Sequence, residues 1–172
     1  MSNDNTPASR QIVLERSYDA AVEALWTLWT TKDGFESWWG PEGFRVEVRA
    51  LDPHVGGALC YDMIATAADA VEYMKREGMP LSHETRGTFV EVEPLERLQI
   101  SHHIDFVPGV APYENRARVE FSRDHERARM RITIDPHHDQ EWTQRAAMGW
   151  ESQLTKVPAA LDRLGDHVRA NR

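Results

Sequence analysis

One cysteine, Cys60, is all that the 172 residues contain. No disulfide can close within such a chain and no multi-cysteine metal site can form, so a reducing compartment, the cytoplasm, is the expected setting. Nor is there an apolar run of the about 18 residues that a membrane-crossing helix requires, which excludes a membrane span. The opening MSNDNTPASRQ has no apolar centre. It reads as a frayed tail over residues 1–10 and not as a secretory signal. Positive charge is scarce: 20 Lys and Arg stand against 28 Asp and Glu, a formal charge of −8, and no basic run offers a local exception. Nucleic acid is therefore not an expected partner, because phosphate recognition needs clustered cations. Gly56-Gly57 is a strand-entry turn that lacks the frame of a phosphate loop. Neither an internal repeat nor a low-complexity linker is present.

What remains is an ordinary globular composition, 41% apolar and 28% charged, at a length suited to one domain with a sizeable core. Gln11–Tyr18 begins with strand-like alternation, Ile12 and Leu14 against Val13 and Glu15. Helical spacing follows, with Val22, Leu25, Trp26 and Trp29 on one stripe and Asp19 as the expected N-cap. A second short helix over KDGFESWW is stopped by Gly40-Pro41. Strands then dominate: FRVEVRAL, ALCYDMIA, ETRGTFVEVEP, ERLQISHHIDF, RARVEFS and RARMRITI, mostly with one dry and one wet face. Between the second and third of these, Val71, Met74 and Lys75 are helically spaced before Gly78 and Pro80, so a helical insertion is expected at about 66–83. From His138 to His167 the pattern is helical again, with Pro158 predicted to kink or split it. The economical arrangement is a curved antiparallel sheet gripping a long C-terminal helix, a single α+β domain over 11–168.

That order, and the stretches AAVEALWTLWT, WWGPEGF, DPHVGGALCYDM, RGTFVEVEPLERLQIS and MGWESQLTKVPAAL, resembles the SRPBCC (START-like, helix-grip) superfamily. Within it, the chain is similar to the family related to the C-terminal domain of the activator of the Hsp90 ATPase. The resemblance runs from Ile12 to Leu164 and implies the helix-grip fold. It implies much less about activity, since the superfamily includes lipid carriers, hormone receptors, aromatic-polyketide cyclases and co-chaperone domains. The chain departs from the family pattern at Thr66–His83 and in DPHHDQEWTQRAAMGW. Both departures fall near the end of the helix where members of the superfamily admit ligands.

A curved sheet and a helix cannot touch everywhere, and the gap between them is the natural binding site. By alternation its lining is Leu59, Tyr61, Met63, Phe89 or Val90, Ile100, His102, Ile104, Val119, Phe121, Met130 and Ile132, with Met148, Trp150 and Leu154 from the helix. Of the adjacent pair Trp38-Trp39, one packs in the core and the other, Trp39 in this assignment, stands at the cavity rim. The alternative is that all these residues close-pack as a core with no usable void.

His102 interrupts an apolar face in mid-strand. A neutral imidazole there can orient a carbonyl or phenol, or act as general base with Tyr61 as helper. The plainer reading is a half-buried histidine bonded to Tyr61 or to backbone. His103 should point to solvent. The other histidines, His54, His83 and the pair His137-His138 with Asp139 and Glu141, do not compose a metal site. Neighbours on a strand face opposite sides, and HHDQE is not the arrangement that puts two histidines four apart on a helix. His138, Asp139, Glu141 and Trp142 read instead as a helix start. No metal and no cofactor is expected.

Three functions stand: binding of an apolar or aromatic small molecule in the cavity; a cyclase- or hydrolase-like enzyme using His102 and Tyr61; or a protein-binding module like the Hsp90 activator, with a chaperone partner and an exposed apolar patch. A homodimer is compatible with each.

Overall fold

The computed structural model describes residues 10–170, so the expected tail at 1–10 lies, but for its last residue, outside the described residues. Strand β1 (Ile12–Tyr18) leads into helices α1 (Val22–Thr30) and α2 (Lys32–Glu36). Strands β2 (Phe44–Leu51) and β3 (Ala58–Ala65) follow, then helix α3 (Ala68–Arg76). Strands β4 (Ser82–Glu93), β5 (Arg97–Ile104), β6 (Tyr113–Asp124) and β7 (Arg127–Ile134) precede the terminal helices α4 (Gln140–Leu154) and α5 (Val157–Ala170). The strands form one antiparallel sheet in the order β1-β7-β6-β5-β4-β3-β2. β1 pairs with β7, so the first strand closes the far edge after six strands have been laid down as a meander. The sheet curls around the helices, and the architecture is the α+β helix-grip.

Two register shifts serve the curl. One lies between Val48 and Ala50 on β2, the other between Phe89 and Glu91 on β4. A bulge of this kind bends its strand and strengthens the local twist. The second also settles which residue of the Phe89-Val90 pair faces inward: Phe89 is fully buried and Val90 is exposed.

Helix ends follow local chemistry. Thr31 caps α2 by accepting from the Gly34 amide at 3.1 Å, and Asp139 caps α4 by accepting from the Trp142 amide at 2.8 Å. Asp19 is not the N-cap of α1. Ala21 holds that position in extended conformation without a side-chain bond, because the helix starts two residues later than the polar residue suggested. Pro158 splits the terminal helix. It is the second residue of α5, within the first turn, where a missing N–H leaves no helical hydrogen bond unmade.

The interior is uneven. Trp29, Trp38, Phe35, Leu25, Leu28 and, on β5–β7, Leu98, Ile100, Val119, Met130, Ile132 and Ile134 are fully buried, and Leu154, Val157, Ala160 and Leu161 press down on this region where α4 ends and α5 begins. Each such side chain contributes roughly 1.5–3 kcal/mol by leaving water. Along α4, by contrast, only Gln153 and Leu154, at its C-terminal end, are buried. The sheet and helix mesh under α1, α2 and α5 and part company under α4.

Candidate functional site

The stretch Trp38-Trp39-Gly40-Pro41-Glu42-Gly43 comes first, because it separates core from cavity. Trp38 turns into the core and donates its indole N–H to the Leu28 carbonyl at 2.9 Å. Trp39, one position on, faces the opening under α4. Gly40 and Gly43 both take φ of +91°, which lets the chain reverse at once into β2. The turn is then tied to α4: the Gly40 amide donates to Gln153 Oε1 at 3.1 Å and the Glu42 amide to Ser152 Oγ at 2.9 Å.

Between α4 and strands β3–β6 lies a cavity of about 280 Å³. The sheet supplies Tyr61 and Met63 from β3, His83 and Thr85 from β4, His102 and Ile104 from β5, and Asn115 and Ala117 from β6. Helix α4 supplies Trp142, Arg145, Ala146, Gly149, Trp150 and Gln153, and the α3 region adds Tyr73, Met74 and Met79. Trp39, Pro41, Phe44, Phe106 and His137 complete the wall. Aromatic rings and flexible methionines predominate, so the wall is mainly apolar.

The residues picked out by alternation divide in two. Trp39, Tyr61, Met63, His102, Ile104 and Trp150 stand on the cavity wall. Leu59, Ile100, Val119, Phe121 and Met130 lie on the same dry face but in the solid core beneath α1 and α5. Ile132 and Leu154 join them there. Solid core and void are both present, side by side. Met148 is corrected outright: it is 72% exposed. At about 100° per residue it sits across the helix from Ala146, Gly149 and Trp150, which face inward.

Several wall residues were not foreseen as lining. Asn115 and Thr85 are polar residues on a dry face, and continuing the alternation of β6 back from Ala117 would have found the first. Tyr73, Met74 and Met79 carry no such signal, because only the tertiary position of α3 brings them over the opening.

At the inner end, His102 is buried and its ring lies nearly parallel to that of Trp39, 5.9 Å between centroids and 15° between planes. The Tyr61 hydroxyl is 3.4 Å from His102 Nε2. Gly87, directly opposite His102 on β4, makes room for the ring: a Cβ there would stand 3.2 Å from the Ser101 carbonyl and 3.5 Å from His102 Cδ2. Burial drives the His102 pKa down to about 4, with nearby His137 pushing the same way and Glu114 opposing. Burial likewise raises the Tyr61 phenol, the Trp39 indole and Thr85 offsetting part of it, and lowers His83 and His137. At neutral pH the wall thus holds neutral imidazoles and an intact phenol. His103 points outward and bonds Glu114 at 2.8 Å.

At the mouth, Arg145 on α4 reaches Glu141 at 2.7 Å, Glu77 at 3.7 Å and the Tyr73 hydroxyl at 3.5 Å. It ties the inserted α3 to the terminal helix. His137 and His138 both approach the Tyr113 hydroxyl through Nδ1, at 2.7 and 3.1 Å. Among the described residues no group of three or more His, Cys, Asp or Glu side chains is placed to hold a metal. None of the described helices is long and apolar enough to cross a membrane.

The sequence model of the family described as "Activator of Hsp90 ATPase homolog 1-like protein" matches residues 19–162. Solved structures of similar shape include a protein from Chromobacterium violaceum, 21% identical with a TM-score of 0.72, covering 88% of this chain and 96% of that one. Another is the AHSA1 protein from Silicibacter pomeroyi, 22% identical with a TM-score of 0.70, covering 88% and 97%. A Nitrosomonas europaea protein is 17% identical with a TM-score of 0.70, covering 92% and 98%. At these identities the likeness speaks for the fold alone. No curated protein matches the chain.

Proposed function

This chain belongs to the activator of Hsp90 ATPase homolog 1-like family, and we propose that it binds an apolar or aromatic small molecule in the cavity between the sheet and α4, in the cytoplasm. The observation that carries this reading is the parting of sheet and helix. Protein interiors normally close-pack, yet here about 280 Å³ is left open beside a solid core and is walled by tryptophans, tyrosines and methionines. A chain that merely needed a core would gain by collapsing the gap, since burying a further Leu-sized side chain yields roughly 1.5–3 kcal/mol. The acidic composition and the single half-buried thiol of Cys60 fit the cytoplasm.

An acid–base enzyme at the same place would need His102 to exchange a proton near neutrality. Its pKa of about 4 and the long contact to Tyr61 work against that role.

The test uses the neutral dye N-phenyl-1-naphthylamine, whose emission rises in an apolar site. Titration of the wild-type chain should give saturable binding that quenches tryptophan emission. Ala146→Trp, which fills the space from α4, should abolish it while leaving the circular dichroism spectrum unchanged. Absence of saturable binding, or equal binding by the filled variant, would remove the reading.

A further inference from the structure

The inner end of the cavity is polar but incompletely bonded. The Trp39 indole N–H is buried and has no hydrogen-bond partner among the described residues. A buried N–H without a partner costs about as much as a lost hydrogen bond and is uncommon in native proteins. Beside it, the Tyr61 hydroxyl reaches His102 Nε2 only at 3.4 Å, where an O–H donor normally closes to about 2.7–2.8 Å. The Trp39 N–H and Thr85 both bear on the Tyr61 oxygen without the indole closing a hydrogen bond of normal geometry, and the Tyr61 proton has His102 Nε2 only at 3.4 Å, so both donors are poorly paired for want of a good acceptor.

The charge of the surroundings restricts what can supply that acceptor. His102, His83 and His137 are neutral imidazoles near pH 7, and Tyr61 keeps its proton. Among the described residues the lining has one cation, Arg145, which is already engaged by Glu141 and Glu77. A carboxylate or an ammonium group moved to the inner end would lose its hydration and meet no opposite charge. A carbonyl or ether-like oxygen would lose little and gain two donors.

We propose that the cavity takes an uncharged molecule with an aromatic or apolar body and one acceptor oxygen, the oxygen seated between the Trp39 indole N–H and the Tyr61 hydroxyl. This deepens the binding reading above and rests on it. Trp39 and Trp150, 5.0 Å apart and nearly perpendicular, offer the body one ring edge and one ring face. The methionines nearer the mouth adapt to whatever the body carries.

Three naphthalenes of one size separate the possibilities: 2-acetylnaphthalene, its isostere 2-isopropylnaphthalene, and 2-naphthoate. Each is titrated by tryptophan quenching against the full chain at pH 7.5, and against Tyr61→Phe. The acetyl compound should bind the wild type about tenfold more tightly than the isopropyl one, the worth of one hydrogen bond. The naphthoate should bind least, and Tyr61→Phe should reduce the acetyl advantage to about twofold or less. With a 13C-labelled carbonyl, the bound acetyl resonance should move downfield from its position in hexane, a readout that does not depend on the variant folding. Equal binding of acetyl and isopropyl compounds, preference for the naphthoate, an advantage that survives Tyr61→Phe, or an unshifted carbonyl would overturn this inference. In each of those cases the binding reading survives. If none of the three binds and N-phenyl-1-naphthylamine fails as well, both fall together.

Discussion

Tyr61 and His102 meet across an intervening strand: one stands on β3, the other on β5, and the phenol reaches past Thr85 and Gly87 of β4 to within 3.4 Å of the imidazole. That contact places a titratable ring inside a dry wall, and its first consequence is a pH dependence of stability. Unfolded, His102 titrates near the ordinary 6.5; folded, burial holds it at about 4. Above pH 6.5 both states are neutral there and the residue costs nothing. Between 6.5 and 4 the unfolded chain takes a proton that the folded chain refuses, so stability falls as pH falls. Below 4 both states are protonated and the loss levels off, at a total on the order of 3 kcal/mol. His83 and His137, both depressed by burial, add to the same trend. Urea denaturation from pH 7.5 to 4.5 should show the wild type losing stability faster than His102→Gln. Parallel curves would mean that the ring is hydrated in the folded protein.

The turn after the tryptophan pair is held by two side chains of α4 that differ in one respect, burial. Gln153 accepts from the Gly40 amide and is buried, whereas Ser152 accepts from the Glu42 amide, where water has access. Gln153→Leu leaves a buried N–H unpaired and should cost about 1–3 kcal/mol. Ser152→Ala hands its donor to solvent and should cost about 0.5 kcal/mol or less. Thermal denaturation of the two variants measures the difference. Equal losses would show that water already reaches Gly40.

How far these features were legible depends on what each requires. The sheet was readable almost throughout, because period-two alternation survives wherever one face is dry, as in Val46 and Val48 against Arg45 and Glu47. The cavity was readable only as a face. Tyr61, His102 and Leu59 share the dry side of their strands, yet Leu59 lies beneath the close-packed region and the other two beneath α4. Nothing in a strand's pattern records how far a helix reaches across it. Met148 differs for another reason: its residue type suggests the interior, but its helical phase puts it in water. Asn115 falls in the stretch VPGVAPYEN, which reads as a loop before a strand at Arg116, whereas β6 already begins at Tyr113; Thr85 lies on the dry face of β4 without an apolar side chain to mark it. Their burial beside His102 is the kind of local conflict that marks a site rather than a core.

Arg145 links α4 to the end of α3 by charge through Glu77, while Glu141, one turn back on α4, holds the guanidinium in place. It is partly exposed and its ion pairs are open to water, so Arg145→Ala should change global stability by about 1 kcal/mol or less. Its effect belongs to local opening. Amide exchange over Ala68–Arg76 should accelerate while that of β5 and β6 stays as in the wild type. If α3 exchanges no faster, packing of Ala70 and Met74 alone holds the insertion in place.

Gly149 separates stability from binding most directly. It sits inside α4, where glycine is unfavourable by about 0.5–1 kcal/mol relative to alanine. It is not there for a turn or a close approach, since a Cβ built on it meets nothing within 4 Å. The space it leaves belongs to the cavity wall. Gly149→Ala should therefore raise stability by about 0.5–1 kcal/mol, the helix gaining what the glycine withholds. Gly149→Leu keeps that gain and adds a side chain directed into the opening, so its melting temperature should match or exceed the wild type while binding of N-phenyl-1-naphthylamine weakens at least about tenfold. A core residue behaves oppositely, because a side chain forced into filled space costs about 1–3 kcal/mol. A Gly149→Leu variant that melts lower than wild type would show the gap already closed, and one that melts higher yet binds the dye unchanged would place the dye elsewhere on the protein.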